Sequence, residues 1–311
     1  MMIAALFPGQ NSHEVGMGVA FRRDYPSVES LFGCVNRVVP GLGQWMEHGP
    51  LETLTLTAHQ QPALVTASIA AYTAWTERTG LRPAFAAGHS LGEFSAYVAA
   101  KSLPFESAVQ LVHNRGTYMQ EAVPEGLGLM VAVMGDPDLI VSVLEERAGQ
   151  MGVVEIANFN APQQTVVSGD KRAVEQVGQV LQARGCRVIP LKVSAPFHCS
   201  LMEPAKLKLE QDLLVTPFSV PVFPVIANVH AEPVTEAEDI VPLLTQQVVS
   251  SVRWVQSIRK LHELGVREFV EFGSGAVLTG LLKRILPGVA AFNIRTPDDI
   301  ETYLNQRMIH E

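Results

Sequence analysis

The chain of 311 residues is short of cysteine, with only Cys34, Cys186 and Cys199. Three thiols so far apart give neither a disulfide framework nor zinc-site spacing. They fit a reducing compartment, so a cytoplasmic protein is expected. Basic residues are also in the minority: the net charge is −8, which excludes a general nucleic-acid binder with a basic face. No stretch approaches the roughly 18 uninterrupted apolar residues of a membrane-spanning helix. The opening MMIAALFPGQ has no basic start and reaches Pro8-Gly9 after a handful of apolar residues, so it reads as a buried strand and not as a signal peptide. Repeats, low-complexity tracts and charged tails are missing. What is present, 47% hydrophobic and 17% charged residues, is an ordinary globular composition, long enough for a core that needs no disulfide or metal.

The hydrophobic pattern divides the chain into three parts. Strands are expected at Ile3–Phe7 and Pro83–Ala87, with helices at Pro62–Arg78, Leu91–Ala100 and Glu106–Val123. Pro62 suits a first helical turn and Gly80 a helix end. The middle reads as strand Leu129–Met134, helix Pro137–Ala148, strands Val153–Asn158 and Thr165–Ser168, helix Arg172–Arg184 and strand Arg187–Val193. That β-α-β-β-α-β order is the split pattern of ferredoxin-like domains. Afterwards α/β alternation returns, with strands Phe223–Asn228 and Glu268–Phe272 and helices Val241–Val249, Val255–Leu264 and Ala276–Arg284. The expected fold is therefore a large α/β-hydrolase-like domain with a central parallel sheet, 1–125 and 196–311. A small ferredoxin-like domain, 126–195, is inserted into it.

The chemistry centres on Gly88-His89-Ser90-Leu91-Gly92, where a strand turns straight into a helix. Small residues at 88 and 92 permit the sharp turn that lifts a serine hydroxyl from a sheet edge. The helix N-terminus then offers free N–H groups to an oxyanion. A serine capping a helix is the plainer reading, but the flanking strand and helix favour a nucleophile. Its base is open among nine histidines. His89 is adjacent, and neighbouring side chains on an elbow diverge. His198, in Ser194-Ala-Pro-Phe-His198, lies where the small domain returns to the large one, as a base or as a structural loop histidine. Cys199 beside it reads as inert. Arg115 shares a helix face with Leu111, Val112 and Met119; it either snorkels to the surface or is buried to meet a carboxylate. Gln10 follows the first strand, where ligands bind in open α/β folds, and its N–H could be a second oxyanion donor.

These residues, with Phe7-Pro-Gly-Gln10, Gln61-Pro-Ala63, Glu93, Gly116, Gln120, Met130-x-Ala-Val133, Asn158-x-Asn160, Ser168-Gly169, Leu201-Met202, Val252-x-Trp254 and Glu271-Phe-Gly-x-Gly275, resemble the malonyl-CoA:acyl carrier protein transacylases over essentially the whole chain. The resemblance implies Ser90 as acyl acceptor, His198 as its base and Arg115 as clamp for the malonyl carboxylate. It also implies oxyanion donors at the Gln10 and Leu91 amides, and a pocket wall of Met119 and Phe197. Phe197 matches the pattern that goes with malonyl over branched malonyls. A backbone carbonyl, here of Gln247, would orient the histidine in place of a third carboxylate. Malonyl-CoA and phosphopantetheinylated acyl carrier protein are the implied partners, with a monomeric enzyme of fatty acid synthesis and no metal or redox cofactor. Three positions depart from the common pattern: Ser250-Ser251 for Asn-Pro, Gly9-Gln10-Asn11-Ser12 for Gly-Gln-Gly-Ser, and Gly273-Ser274-Gly275 for Gly-Pro-Gly. The acidic carrier would need a local basic patch, for which Lys171, Arg172, Arg184 and Arg187 are candidates against a simple solvated face. A free-standing polyketide acyltransferase, a serine acyl hydrolase and a carrier-binding module without activity are the alternatives.

Overall fold

A computed structural model describes residues 2–147 and 152–310, the last three by backbone alone. Its ten strands are β1 (Met2–Phe7), β2 (Phe85–Gly88), β3 (Gly128–Met134), β4 (Val154–Ala161), β5 (Gln164–Asp170), β6 (Arg187–Pro190), β7 (Val225–Ile226), β8 (Pro233–Val234), β9 (Val266–Phe272) and β10 (Ala290–Ile294). The helices begin with α1 (Val19–Asp24), α2 (Pro26–Val38), α3 (Leu42–His48), α4 (Leu51–Thr55), α5 (Thr57–Thr79), α6 (Gly92–Ala99) and α7 (Phe105–Glu121). They continue with α8 (Pro137–Arg147), α9 (Lys171–Ala183), α10 (Glu203–Leu214), α11 (Ile240–Gln247), α12 (Trp254–Glu263), α13 (Val277–Ile285) and α14 (Pro297–His310). The expected end of α8 at Ala148 lies outside the described residues.

One sheet has the order β10-β9-β1-β2-β7-β8. Its strands are parallel except β8, which runs antiparallel to β7. The sheet is thus mixed and not purely parallel as expected. The difference comes from a two-residue edge strand too short to leave a pattern. Helices cover both faces, as a parallel sheet requires. β1 shows the result, with Ile3 to Phe7 buried on both sides. The second sheet is antiparallel, β4-β5-β3-β6. Its Val131, Val133 and Val167 pack on Ile140 and Val143 of α8 and Val174, Val177 and Leu181 of α9. The β-α-β-β-α-β order is as expected. Two expected strands are shorter, however: Arg187–Val193 stops at Pro190, and Phe223–Asn228 shrinks to Val225–Ile226.

The expected helix at Pro62 begins five residues earlier, at Thr57, so proline does not sit in its first turn. A proline cannot donate to the carbonyl four residues back. Here that carbonyl, of Ala58, is met by His113 Nδ1 of α7 at 2.8 Å. The substitute partner lets the helix run through. α7 comes close enough that a Cβ on Gly116 would lie 2.5 Å from the Thr57 carbonyl oxygen. This tight crossing sets Arg115 of α7 opposite Gln61 of α5.

Candidate active site

β1, β2 and β7 lie side by side, and the residues that follow them, Gln10, Ser90 and Asn228, meet at one sheet edge. Such an edge is where open α/β sheets bind ligands. The β2–α6 turn explains its own glycines. A Cβ on Gly88 would lie 1.9 Å from the Gly92 carbonyl, and one on Gly92 would lie 2.0 Å from the Phe7 oxygen. Ser90 between them has φ 51°, a left-handed conformation that a non-glycine residue holds only under constraint. The constraint is visible: Ser90 N donates to Asn228 Oδ1 at 2.7 Å, and Asn228 Nδ2 donates to the Gly88 carbonyl at 2.7 Å. Asn228 thereby staples both sides of the turn. The amides of Leu91, the N-cap of α6, and of Gln10 have no protein acceptor among the described residues, so both can donate to an oxyanion.

His198 Nε2 stands 2.7 Å from Ser90 Oγ, and its Nδ1 stands 3.0 Å from the Gln247 carbonyl. The carbonyl can only accept, so Nδ1 carries the proton and Nε2 is left to receive one from the serine. Burial first, and the Arg115 charge second, push the imidazole down to about 3. It is therefore a neutral base throughout the physiological range. The Ser250-Ser251 departure does not leave this loop loose. Val252 N donates to the Ala157 carbonyl at 2.8 Å, Phe159 N donates to the Val252 carbonyl at 2.9 Å, and Ser251 Oγ donates to the Ile156 carbonyl. The loop is pinned along β4. His89 turns away to Asn160 Oδ1 at 2.8 Å. The Cys199 thiol is buried and pushed up to about 11, which keeps it protonated and inert.

Arg115 does not snorkel. It is fully buried, with Nη1 donating to Gln61 Oε1 at 2.9 Å and Nη2 to Ser90 Oγ at 3.0 Å and Gln247 Oε1 at 3.2 Å. The Phe94 ring covers it, with the centroid 5.6 Å away. Burial lowers this guanidinium to about 10, so it stays charged at neutral pH. Behind it lies a carboxyl the sequence did not single out. Glu93 Oε2 accepts from Gln247 Nε2 at 2.7 Å and from Asn228 N at 3.1 Å. Burial raises Glu93 to about 7. Gln61, Asn228 and Glu93 all escaped a role in the sequence reading. Gln61 and Glu93 stood in matched motifs, while nothing marked Asn228.

A cavity of about 210 Å³ opens onto Ser90 and His198, walled by Gln10, Asn160, Phe197, Leu191, Val193 and Leu281 among others. Phe197 is in its wall; Met119, expected there too, is in the core, 1% exposed, and Arg115 reaches the serine through Nη2. A larger cavity of about 800 Å³, beside Phe292 and Val289, lies at the β10 edge and holds none of these residues. The four candidate docking cations do not gather. Lys171 and Arg172 open α9 and Arg184 follows its far end, about 20 Å away at 1.5 Å per residue. Arg184 also pairs with Glu146 at 2.7 Å. Among the described residues no group of three or more His, Cys, Asp or Glu is placed to hold a metal, and no helix is long and apolar enough to cross a membrane.

Residues 5–293 match the acyl transferase domain. A malonyl CoA-acyl carrier protein transacylase of Escherichia coli K12 is 42% identical over 297 residues, covering 94% of this chain and 96% of that one. The solved transacylase of Coxiella burnetii superposes with a TM-score of 0.94 at 38% identity, covering 98% of both chains. A malonyl-transacylase solved in complex with its type II PKS acyl-carrier protein gives 0.94 at 40% identity, covering 98% of this chain and all of that one. The chain belongs to the acyl transferase domain family and, within it, to the malonyl CoA-acyl carrier protein transacylases.

Proposed function

We propose that this enzyme moves the malonyl group of malonyl-CoA to the phosphopantetheine thiol of acyl carrier protein, through a malonyl ester on Ser90, in fatty acid synthesis. The observation that carries the reading is the buried Arg115 guanidinium 3.0 Å from Ser90 Oγ. A permanent cation beside a serine nucleophile is a site for an acyl group bearing its own carboxylate.

The steps follow from the geometry. The malonyl carboxylate takes Arg115 as partner. His198 Nε2 accepts the Ser90 proton as Oγ attacks the thioester carbonyl. The Gln10 and Leu91 amides donate to the tetrahedral oxyanion. Its collapse expels the coenzyme A thiolate, which leaves with the proton held by His198. The carrier thiol then gives its proton to His198 and attacks the ester, and Ser90 Oγ recovers that proton as it leaves. One thioester is broken and one formed, so the reaction is near thermoneutral and reversible. Phe197 walls the acyl end. Gln247 orients the base through its carbonyl. No step in this scheme calls on a metal or redox cofactor.

The strand orders support two units: a hydrolase-like unit from 1–125 and 196–311, and a ferredoxin-like unit at 126–195, with the cavity between the elbow and β3 to β5. A cytoplasmic setting fits three thiols that are all unpaired and buried. The likeness to a transacylase caught with a type II PKS carrier favours polyketide supply as the second reading. A hydrolase would have no use for Arg115.

Intact-mass analysis after exposure to malonyl-CoA tests the proposal. A single malonyl adduct should form, disappear on adding phosphopantetheinylated carrier and be absent from Ser90→Ala. An adduct persisting in that variant, or release of free malonate in place of transfer, refutes the reading. Relative kcat/KM for fatty acid and polyketide carriers separates the two pathways.

A further inference from the structure

Among the buried ionisable groups that no step of the reaction uses, Glu93 lies nearest the nucleophile in the chain. Glu93 sits in the first turn of α6 with no measurable exposure, three residues past the nucleophile. Its Oε2 binds two side branches of the site at once. One is Asn228 N, at 3.1 Å, and Asn228 staples the Ser90 turn. The other is Gln247 Nε2, at 2.7 Å. Gln247 is the residue on which everything else converges. Its backbone carbonyl holds His198 Nδ1 at 3.0 Å, its Oε1 accepts from Arg115 Nη2 at 3.2 Å, and its Nε2 also donates to the Ser90 carbonyl at 3.1 Å.

A carboxamide has two ends of opposite hydrogen-bonding sense and nearly the same shape. Which end points where is decided only by its partners. Arg115 donates and never accepts; an ionised carboxylate accepts and never donates. Placed at the two ends of Gln247, they permit one orientation, with Oε1 toward Arg115 and Nε2 toward Glu93. A neutral partner at position 93 weakens that rule, because a carboxamide or a protonated carboxyl can also donate to Gln247 Oε1, and the Ser90 carbonyl at 3.1 Å is then the one acceptor-only group left to hold Nε2. The flipped amide then turns two donor hydrogens on the guanidinium. Arg115 is repelled from the position in which it faces the acyl group.

We propose that Glu93 is a positioning residue for acyl selectivity: as an acceptor-only anchor it fixes the Gln247 carboxamide, and through it the Arg115 clamp. The inference rests on Arg115 meeting the acyl carboxylate, as proposed above. It adds that the clamp is aimed by a group that touches neither the substrate nor the reacting atoms.

The test is the ratio of malonyl-CoA to acetyl-CoA acylation, as kcat/KM, in Glu93→Gln against wild type. A change at His198 or the elbow slows both substrates and cancels in the ratio; a misaimed clamp slows malonyl more than acetyl, which loses only the Nη2 contact to Ser90 Oγ. One charge-assisted hydrogen bond corresponds to about 10- to 150-fold, so the ratio should fall by at least about 10-fold. Arg115→Ala combined with Glu93→Gln should lower it no further than Arg115→Ala alone, because both act on one contact. A wild-type ratio in Glu93→Gln, or an equal loss with both substrates, overturns the proposal.

If Glu93→Gln does not fold, wild type decides by itself. The titratable groups acting on Glu93 are Arg115 of α7 and Tyr97 of its own helix. Arg115 stays charged and the Tyr97 phenol is driven well above its ordinary range by burial. Of these three groups only Glu93 changes charge near neutrality, so the ratio should fall as pH drops from about 8.5 to 5.5. A flat ratio overturns the proposal. Failure of wild type to form a malonyl adduct at all would instead strike the proposed function, so the two failures are distinguishable.

Discussion

Replacing Arg115 by alanine should convert a malonyl-selective site into an indifferent one. The guanidinium has no solvent exposure and is flanked by Gln61 Oε1 at 2.9 Å and Gln247 Oε1 at 3.2 Å. An arriving carboxylate therefore meets a charge already held in place, with little ordering left to do. Two charge-assisted hydrogen bonds at about 1.5–3 kcal/mol each give about 3–6 kcal/mol. At about 1.4 kcal/mol per tenfold, that is two to four powers of ten in malonyl acylation. Acetyl-CoA has no carboxylate to lose. Its acylation forfeits only the Nη2 contact to Ser90 Oγ at 3.0 Å, and its rate should stay within about tenfold. The substitution also orphans the Gln61 and Gln247 oxygens, each costing about 1–3 kcal/mol. Loss of a buried charge offsets part of that cost, and a melting curve should precede the kinetics. Quenched-flow mixing with equal malonyl-CoA and acetyl-CoA, read by intact mass, gives the adduct ratio directly. A variant that folds and still loads malonyl over acetyl by the wild-type ratio would refute the clamp.

Further outcomes follow from the same geometry. His198 is held at about 3 in the fold against about 6.5 when unfolded, so the unfolded chain binds more protons between those values. Its contribution is complete above about 6.5 and is lost as pH falls toward about 3. Glu93, raised to about 7, acts oppositely, its contribution being lost as pH rises from about 4.5 to 7. Calorimetry at pH 5 and 7.5 should show a smaller acid-side loss of Tm in His198→Ala than in wild type; equal losses would contradict the buried-base assignment. The Cys199 thiol, pushed up to about 11 and buried, should resist iodoacetamide at pH 7.5 with activity intact, and rapid inactivation through Cys199 would show that it is exposed. Gly92→Ala puts a Cβ 2.0 Å from the Phe7 oxygen, so it should abolish the acyl-enzyme or the fold. A soluble variant with wild-type loading would mean the elbow is not built as described.

How much of this could be seen in the sequence depends on how local the physics is. The elbow was legible because its constraint lies within five residues: Gly88 and Gly92 are glycines because each would strike backbone if it carried a Cβ. The strand–helix alternation, the split order of the second sheet and the C-cap of α5 at Gly80, with φ 68°, are local in the same way. The stretch from 19 to 55 was not assigned. There the chain breaks into four helices around Gly18, Gly41 and Gly49, all at positive φ, and α1, α3 and α4 are too brief for a period to declare itself. Helices α10 and α14 and the edge strands β8 and β10 went unassigned as well.

The site divides along the same line. Periodicity could say which face of α7 carries Arg115, but not what faces it. Its partners are 54 and 132 positions away in the chain, so the general tendency of arginine to snorkel was the better reading until α5 and α11 were in place. Glu93 is the sharper case. In a sequence it is an acid in a first helical turn, favourable to the helix dipole and otherwise unremarked. Only the fold shows that α6 is buried along nearly its whole length, that this carboxyl has no access to water, and that its partners are the residues holding the base, the clamp and the turn. A residue of ordinary type acquires a function there because it accepts hydrogen bonds at a point where the surrounding network has donors to place. That property belongs to the assembled network, and so it is tested by substituting acceptor for donor within it.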